Sequence, residues 1–150
     1  MTQAEMVSET TLKIRRTLNA PREVVFRAWT QPEQLRSWWG VRADYSTPIA
    51  EVDLRVGGKY RLGMQAPDRD EPFVVGGVFR EVNPPERLVY TWQMDSSDMK
   101  LGETVVTVEF LDRGGETEVV LTHELFPNAE ICEQHNQGWN SCFDRLPKFL

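Results

Sequence analysis

The sequence predicts an α+β fold in which a curved antiparallel sheet of about seven strands wraps around a long C-terminal helix. Between residues 59 and 125, apolar and polar residues alternate with the period of a β-strand, and short turns separate the alternating segments. After Asn128 the apolar residues recur with the period of a helix. Since a curved sheet has one concave face, the long helix is the natural element to cover it.

One strand and two short helices precede most of this sheet. Residues 12–18 alternate, although Arg15 and Arg16 interrupt the apolar pattern. Pro21 opens the first helix and Pro32 the second, because proline is favoured in the first turn. The predicted element order is therefore β-α-α-β6-α.

The second short helix ends in two adjacent tryptophans, Trp38 and Trp39. Leaving two such large apolar rings in water is costly, so both must be covered. They serve either as a plug of the core or as a lid over a ligand, and the sequence leaves both interpretations open.

Six further strands and a capped helix complete the prediction. The strands are expected at 50–54, 59–64, 73–82, 88–94, 106–110 and 119–125. The pair Gly76 and Gly77 predicts a bulge or bend in its strand. Asn128 is the expected cap of the last helix, and Pro147 is expected to bend or end it.

The composition indicates one globular domain and disfavours several functions. The chain has 150 residues, of which 27 % are charged and 40 % are hydrophobic. Its net charge of −6 disfavours nucleic acid and anionic membranes, because both require a basic protein surface. No apolar run approaches the roughly 20 residues of a membrane helix. We therefore expect no nucleic-acid partner and no membrane partner.

The chain is expected to be cytoplasmic. Its start, MTQAEMVSETT, lacks the basic and apolar regions of a secretory signal. Two cysteines, Cys132 and Cys142, fit a reducing compartment better than a disulfide framework. Residues 1–10 are predicted to be a polar tail and residues 11–150 a single domain.

No cofactor and no metal are expected. His135 follows Cys132 at a spacing that resembles half a metal site, but Cys142 lies too far along the helix to bind the same ion. The sequence also lacks a phosphate-binding loop and a Ser-His-Asp arrangement.

Six segments together resemble a known family. They are TLNAPREVVFRAWTQPEQLRSWWG, DLRVGGKYRLGM, GGVFREVNPPERLVYTW, TVVTVEF, TEVVLTHEL and GWNSCFDRL. In this order they are similar to the single-domain relatives of the C-terminal domain of the activator of Hsp90 ATPase, over roughly residues 10–150. That group belongs to the START-like, or Bet v 1-like, superfamily, which implies a helix-grip fold. The superfamily spans several functions, so the resemblance is more specific for fold than for activity.

The resemblance implies a cavity between the last helix and the sheet that binds a small hydrophobic molecule, either a lipid or an aromatic compound. The residues expected to line it are Trp38, Trp39, Tyr60, Leu62, Tyr90, Trp92, His123, Trp139 and Phe143. In this interpretation Trp38 and Trp39 close the entrance, and Trp139 and Phe143 form the wall on the helix side. The opposing interpretation is a solid core packed by large rings.

Noncatalytic binding is the principal hypothesis, with two alternatives. An enzyme of the polyketide cyclase or hydrolase kind would need a general base, for which His123 is a weak candidate; a buried structural histidine is the favoured interpretation. An interaction module that modulates a chaperone ATPase is the other alternative. A homodimer also fits the sequence. Arg15, Arg61 and Arg80 could hold a ligand carboxylate, although surface ion pairs are favoured.

Overall fold

The computed structural model describes residues 3–8, 10–40, 44–94 and 102–150. The strands are β1 (Gln3–Ser8), β2 (Thr11–Leu18), β3 (Ser46–Val52), β4 (Lys59–Gln65), β5 (Phe73–Asn83), β6 (Arg87–Met94), β7 (Thr104–Asp112) and β8 (Thr117–Glu124). The helices are α1 (Arg22–Thr30), α2 (Pro32–Trp38) and α3 (Ala129–Phe149).

These strands form one antiparallel sheet in the order β1-β2-β8-β7-β6-β5-β4-β3. Strands β3 to β7 each pair with the next strand along the chain, which is the predicted meander. Strand β2 pairs with β8, so the beginning and the end of the domain meet. The α+β helix-grip prediction is therefore confirmed.

Strand β1 is an element that the sequence pattern did not predict. It lies within residues 1–10, the segment expected to be a polar tail, of which residues 1, 2 and 9 are outside the described part. Its backbone pairs with β2, with Gln3 opposite Arg15 and Met6 opposite Leu12. Without β1, the outer edge of β2 would leave a row of backbone groups unpaired. Pairing with this edge stabilises β1 as a strand although its sequence is polar. The described sheet thus has eight strands, against about seven expected.

The three helices pack on the sheet and on one another. Helix α1 contacts β7, α2 contacts β3, and α3 contacts both β2 and α2. The rings of Phe26 and Phe110 meet edge to face, with centroids 5.4 Å apart, where α1 lies on β7. Leu121 of β8 and Phe143 of α3 are fully buried in the same core. The core therefore fills much of the space between helices and sheet.

Close packing explains one of the two glycines in the middle of β5. A Cβ atom on Gly77 would lie 2.1 Å from the carbonyl oxygen of Thr91 on β6, so only glycine fits there. The Tyr60 hydroxyl donates to the same carbonyl at 2.5 Å. The β5–β6 pairing shifts register between Phe79 and Glu81, whereas the bulge or bend was predicted at Gly76 and Gly77, where the pairing keeps its register.

Helix α3 begins at its predicted cap and continues past its proline. The Asn128 side chain accepts a hydrogen bond from the N–H of Ile131 at 2.9 Å. The sequence predicted a bend or an end at Pro147, but α3 extends to Phe149. Since proline has no N–H, the carbonyl of Phe143, one turn earlier, lacks its usual helical donor.

A buried arginine supplies the missing donor. Arg16 Nη1 donates to Phe143 O at 2.5 Å, and Nη2 donates to Asp144 Oδ1 at 2.9 Å. Arg16 is only 7 % exposed although its side chain is charged. The residue that interrupts the apolar pattern of β2 therefore fastens that strand to α3.

We expect substitutions at Arg16 and Pro147 to be coupled. Arg16→Met should lower the free energy of unfolding by about 2 kcal/mol, because it leaves the buried Phe143 carbonyl unpaired. In a Pro147→Ala background the alanine N–H can bond that carbonyl, so the loss should be smaller by about 1 kcal/mol. Urea unfolding of the four proteins measures both losses, and equal losses in the two backgrounds would contradict the account.

Candidate functional site: a cavity between α3 and the sheet

A cavity of about 370 Å³ lies between α3 and the sheet. Its sheet side and its α2 end are lined by Trp39, Gly40, Tyr45, Met64, Phe73, Trp92 and Met94. Its helix side is lined by Gln134, His135, Gln137, Gly138, Trp139 and Cys142. None of these described lining residues is an acid, a lysine or an arginine. The wall is therefore mostly aromatic and apolar, with a few neutral polar groups.

One face of α3 forms the helix side because of its spacing. Gln134, Gly138 and Cys142 follow one another at intervals of four residues, so they lie in a row along the helix. Glycine within a helix costs about 1 kcal/mol relative to alanine. Gly138 lines the cavity in the middle of this row and contributes no side chain to it.

Two tryptophans of the wall are fixed by two histidines. Trp139 Nε1 donates to His123 Nδ1 at 3.1 Å, so the other ring nitrogen of His123 carries the proton. That Nε2 lies 2.8 Å from Thr104 Oγ1, which in turn donates to the carbonyl of Trp92 at 2.9 Å. On the other side, Trp92 Nε1 donates to His135 Nε2 at 3.3 Å.

His135 completes this network with its second nitrogen. Its Nδ1 lies 2.9 Å from the carbonyl of Ile131, one helical turn earlier, and donates to it. Burial lowers the pKa of His135, although the bond to Ile131 opposes this. Burial also lowers the pKa of His123 well below its usual value, and the nearby His135 lowers it further. Both rings are therefore neutral at neutral pH, with both nitrogens of each engaged.

The end of α2 is held against α3 at the edge of the cavity. Arg145 donates to the carbonyl of Trp38 at 3.2 Å and also to the carbonyl of Gly40. The Cys142 thiol donates to the Gly40 carbonyl at 3.1 Å. Burial raises the pKa of the Cys142 thiol to about 11, so it remains protonated and a poor nucleophile. These contacts hold the carbonyls of Trp38 and Gly40, and therefore the backbone on both sides of Trp39.

The two adjacent tryptophans have different positions. Trp38 is 1 % exposed, lies 4.7 Å from the Trp29 ring, and donates its indole N–H to the carbonyl of Ala28 at 2.9 Å. Trp39 is the residue that lines the cavity, where its ring lies 6.2 Å from Trp92. Trp38 therefore belongs to the core beneath α1, and Trp39 belongs to the cavity wall.

The other predicted lining residues divide in the same way. Trp92 and Trp139 line the cavity together with Trp39. Tyr60, Leu62 and Tyr90 instead surround a separate void of about 20 Å³, which Trp29 of α1 and Leu35 of α2 also line. His123 and Phe143 are fully buried behind the wall.

The family follows from a comparison with family models. The model described as activator of Hsp90 ATPase homolog 1-like protein matches residues 19–150. The chain belongs to this family. The match covers α1, α2, α3 and the strands from β3 to β8, and therefore every described residue that lines the cavity. A comparison with curated proteins found no match.

Several solved structures have the same fold. A protein from Chromobacterium violaceum is 26 % identical with a TM-score of 0.82, over 94 % of this chain and 96 % of that one. A protein from Rhizobium leguminosarum is 28 % identical with a TM-score of 0.77, over 99 % and 97 %. The AHSA1 protein from Silicibacter pomeroyi is 22 % identical with a TM-score of 0.81, over 92 % and 95 %. This last likeness shows the fold alone.

Sequence reasoning for this family member missed most of the lining residues. They are Gly40, Tyr45, Met64, Phe73, Met94, Gln134, His135, Gln137, Gly138 and Cys142. The alternation of β6 puts Met94 on the same face as Trp92, and helical spacing puts His135 and Cys142 on the same face as Trp139. The sequence therefore contained a signal for these three residues. Tyr45 lies just outside a strand and carries no periodic signal.

Two further findings concern metal ions and membranes. The described part of the chain contains no group of three histidine, cysteine or acidic side chains that could hold a metal ion. Among the described helices, none combines the length and apolar character needed to span a bilayer.

The histidine network predicts a loss of stability in acid. Because His123 and His135 have lowered pKa values in the folded chain, the unfolded chain takes up protons first as the pH falls below 6.5. Each histidine then lowers the free energy of unfolding by up to about 1.4 kcal/mol for each pH unit. This loss continues until the pH reaches the pKa of that histidine in the folded chain. Above the unfolded pKa this contribution is constant.

Urea unfolding between about pH 7 and pH 5 measures this effect. A His123→Gln/His135→Gln variant carries the same carboxylates and serves as the matched control. We expect its stability to depend less steeply on pH than that of the parent chain. Equal slopes would show that the two buried histidines do not carry the acid sensitivity.

Proposed function

We propose that this chain binds a small hydrophobic molecule in the cavity between α3 and the sheet, without converting it. The observation that carries the proposal is the cavity itself, because its volume of about 370 Å³ falls in the range of small-molecule sites. Five aromatic rings and two methionines offer apolar surface, and a few neutral polar groups could orient a ligand. Membership in a family with a helix-grip fold supports the same function.

The engaged side chains favour binding over catalysis. His123, the weak catalytic candidate, is fully buried and uses both ring nitrogens within the protein. His135 lines the cavity but also uses both nitrogens. The Cys142 thiol has a raised pKa and is bound to the backbone of Gly40. General acid–base catalysis needs a group that can exchange a proton with the substrate, and these three groups are poorly placed for it.

A cytoplasmic location without nucleic-acid or membrane partners is part of the proposal. The net charge of −6 supports the expected lack of affinity for polyanions. The two cysteines support a reducing compartment, since both are buried thiols rather than a disulfide.

Titration with N-phenylnaphthylamine, a neutral fluorescent probe of apolar sites, tests the proposal. We expect saturable binding of one probe per chain, a rise in probe fluorescence, and a higher thermal unfolding temperature in its presence. Tryptophan fluorescence should change as well, because Trp39, Trp92 and Trp139 line the cavity. A linear, unsaturable signal with no thermal shift would overturn the proposal.

A further inference from the structure

We infer that the ligand is an uncharged molecule with a planar aromatic ring system rather than a fatty acid or another anionic lipid. The inference rests on the proposed function and goes further, because it names the chemical class that the wall selects. Two properties of the wall carry it: the charge of the lining residues and the way in which its rings are held.

The described part of the wall offers no counter-charge for an anionic head group. None of the described lining residues is a lysine or an arginine. Arg145, three residues after Cys142 on α3, donates to the carbonyls of Trp38 and Gly40 and to the Ser141 hydroxyl at 2.9 Å, so each of its three nitrogens already makes one hydrogen bond. Burying a carboxylate without a paired cation is expensive, and this penalty disfavours fatty acids.

Two arginines outside the cavity wall, Arg69 and Arg80, also have partners within the protein. Arg69 stacks on the Phe73 ring, with its guanidinium carbon 4.0 Å from the ring centroid, and its Nε donates to the carbonyl of Glu71. Arg80 pairs with Glu103 at 2.9 Å. Neither Arg69 nor Arg80 lines the cavity.

The Trp92 and Trp139 rings of the wall present surface rather than donors to a ligand. The indole N–H of Trp92 is used by His135 and that of Trp139 by His123, so neither is available to a ligand. The Trp92 ring lies 5.3 Å from Trp139 and 6.2 Å from Trp39, and these bonds and contacts fix its orientation. A planar aromatic ligand gains favourable ring–ring contacts in addition to its buried area, which an alkyl chain does not.

The remaining polar groups of the wall are uncharged. Within the described residues, the Tyr45 hydroxyl and the Gln134 amide have no hydrogen-bond partner, and the Gln137 amide makes only a 3.5 Å contact with Glu133. Hydroxyl and amide groups both donate and accept. They match a ligand that carries a hydroxyl, a carbonyl or a ring nitrogen at its edge.

Four probes of similar size separate charge from ring character: naphthalenemethanol, naphthoate, decanol and decanoate. At neutral pH both acids are ionised, and dissociation constants come from calorimetry or from displacement of N-phenylnaphthylamine. We expect naphthalenemethanol to bind about tenfold more tightly than naphthoate and than decanol, and decanoate to bind most weakly. In a Gly138→Leu variant all four should lose affinity, which assigns the binding to this cavity.

The outcomes distinguish this inference from the proposed function. If decanoate or naphthoate binds as tightly as naphthalenemethanol, the selection against charge is wrong while ligand binding stands. If decanol binds as tightly as naphthalenemethanol, the selection for aromatic rings is wrong while ligand binding stands. If none of the four binds and N-phenylnaphthylamine does not bind either, the proposed function fails and the inference fails with it.

Discussion

Trp38→Ala lowers the free energy of unfolding by about 3–5 kcal/mol. Trp38 is almost fully buried beneath α1, and its ring packs against Trp29 with centroids 4.7 Å apart. Alanine leaves a void the size of an indole, and it also leaves the carbonyl of Ala28 without the 2.9 Å hydrogen bond from the indole. This loss is a large part of the stability of an ordinary domain. Urea unfolding followed by circular dichroism measures it.

Trp39→Ala is the matched control, because the same change is made one residue later. Trp39 already borders a cavity, so removing its ring enlarges an existing space instead of creating a new one. We expect a loss of stability smaller than that of Trp38→Ala by at least about 1 kcal/mol, together with weaker binding of N-phenylnaphthylamine. A Trp39→Ala variant as unstable as Trp38→Ala would contradict the assignment of the two rings to core and wall.

Gly138→Leu removes ligand binding while the fold remains stable. The new side chain lies in the row between Gln134 and Cys142, both of which line the cavity, so it fills the space from the helix side. Leucine also favours a helix over glycine by about 0.8 kcal/mol, so the free energy of unfolding should not fall. We expect at least a tenfold loss of affinity for N-phenylnaphthylamine, which calorimetry measures.

Gly138→Ala separates the helix effect from the volume effect. Alanine supplies the same gain in helix propensity and adds only one methyl group, so this variant should be more stable and should bind almost as the parent chain does. If Gly138→Leu keeps full affinity, the probe binds elsewhere. If Gly138→Leu and Gly138→Ala lose affinity equally, rigidity of α3 rather than space is the cause.

Local periodicity was sufficient to predict most of the fold. Alternation located β2 and β4 to β8, and the helical period after Asn128 located α3. Strand β3 was expected at 50–54 but spans Ser46–Val52, because its region has no clear alternation. Strand β1 escaped prediction because it depends on the free edge of β2 rather than on an apolar pattern of its own. The passage of α3 through Pro147 escaped for a similar reason, since it depends on Arg16, which lies on a strand far away in sequence.

The cavity was harder to predict because its wall depends on contacts between elements. Trp38 ends α2, whereas Trp39 has extended backbone, with ψ of 136°, so the two neighbouring side chains separate there. No periodic rule applies across that change of conformation. His123 is similar: parity placed it inside, but only the positions of Thr104 and Trp139 reveal that both nitrogens are engaged.

The indole N–H signals of the five tryptophans test the central claim most directly. In a nitrogen–proton correlation spectrum each tryptophan gives one such signal, and Trp39, Trp92 and Trp139 line the cavity whereas Trp29 and Trp38 do not. On saturation with naphthalenemethanol, the account predicts the largest shifts at Trp39, Trp92 and Trp139. Shifts that are largest at Trp29 and Trp38, or no shifts at all, would contradict a ligand site between α3 and the sheet.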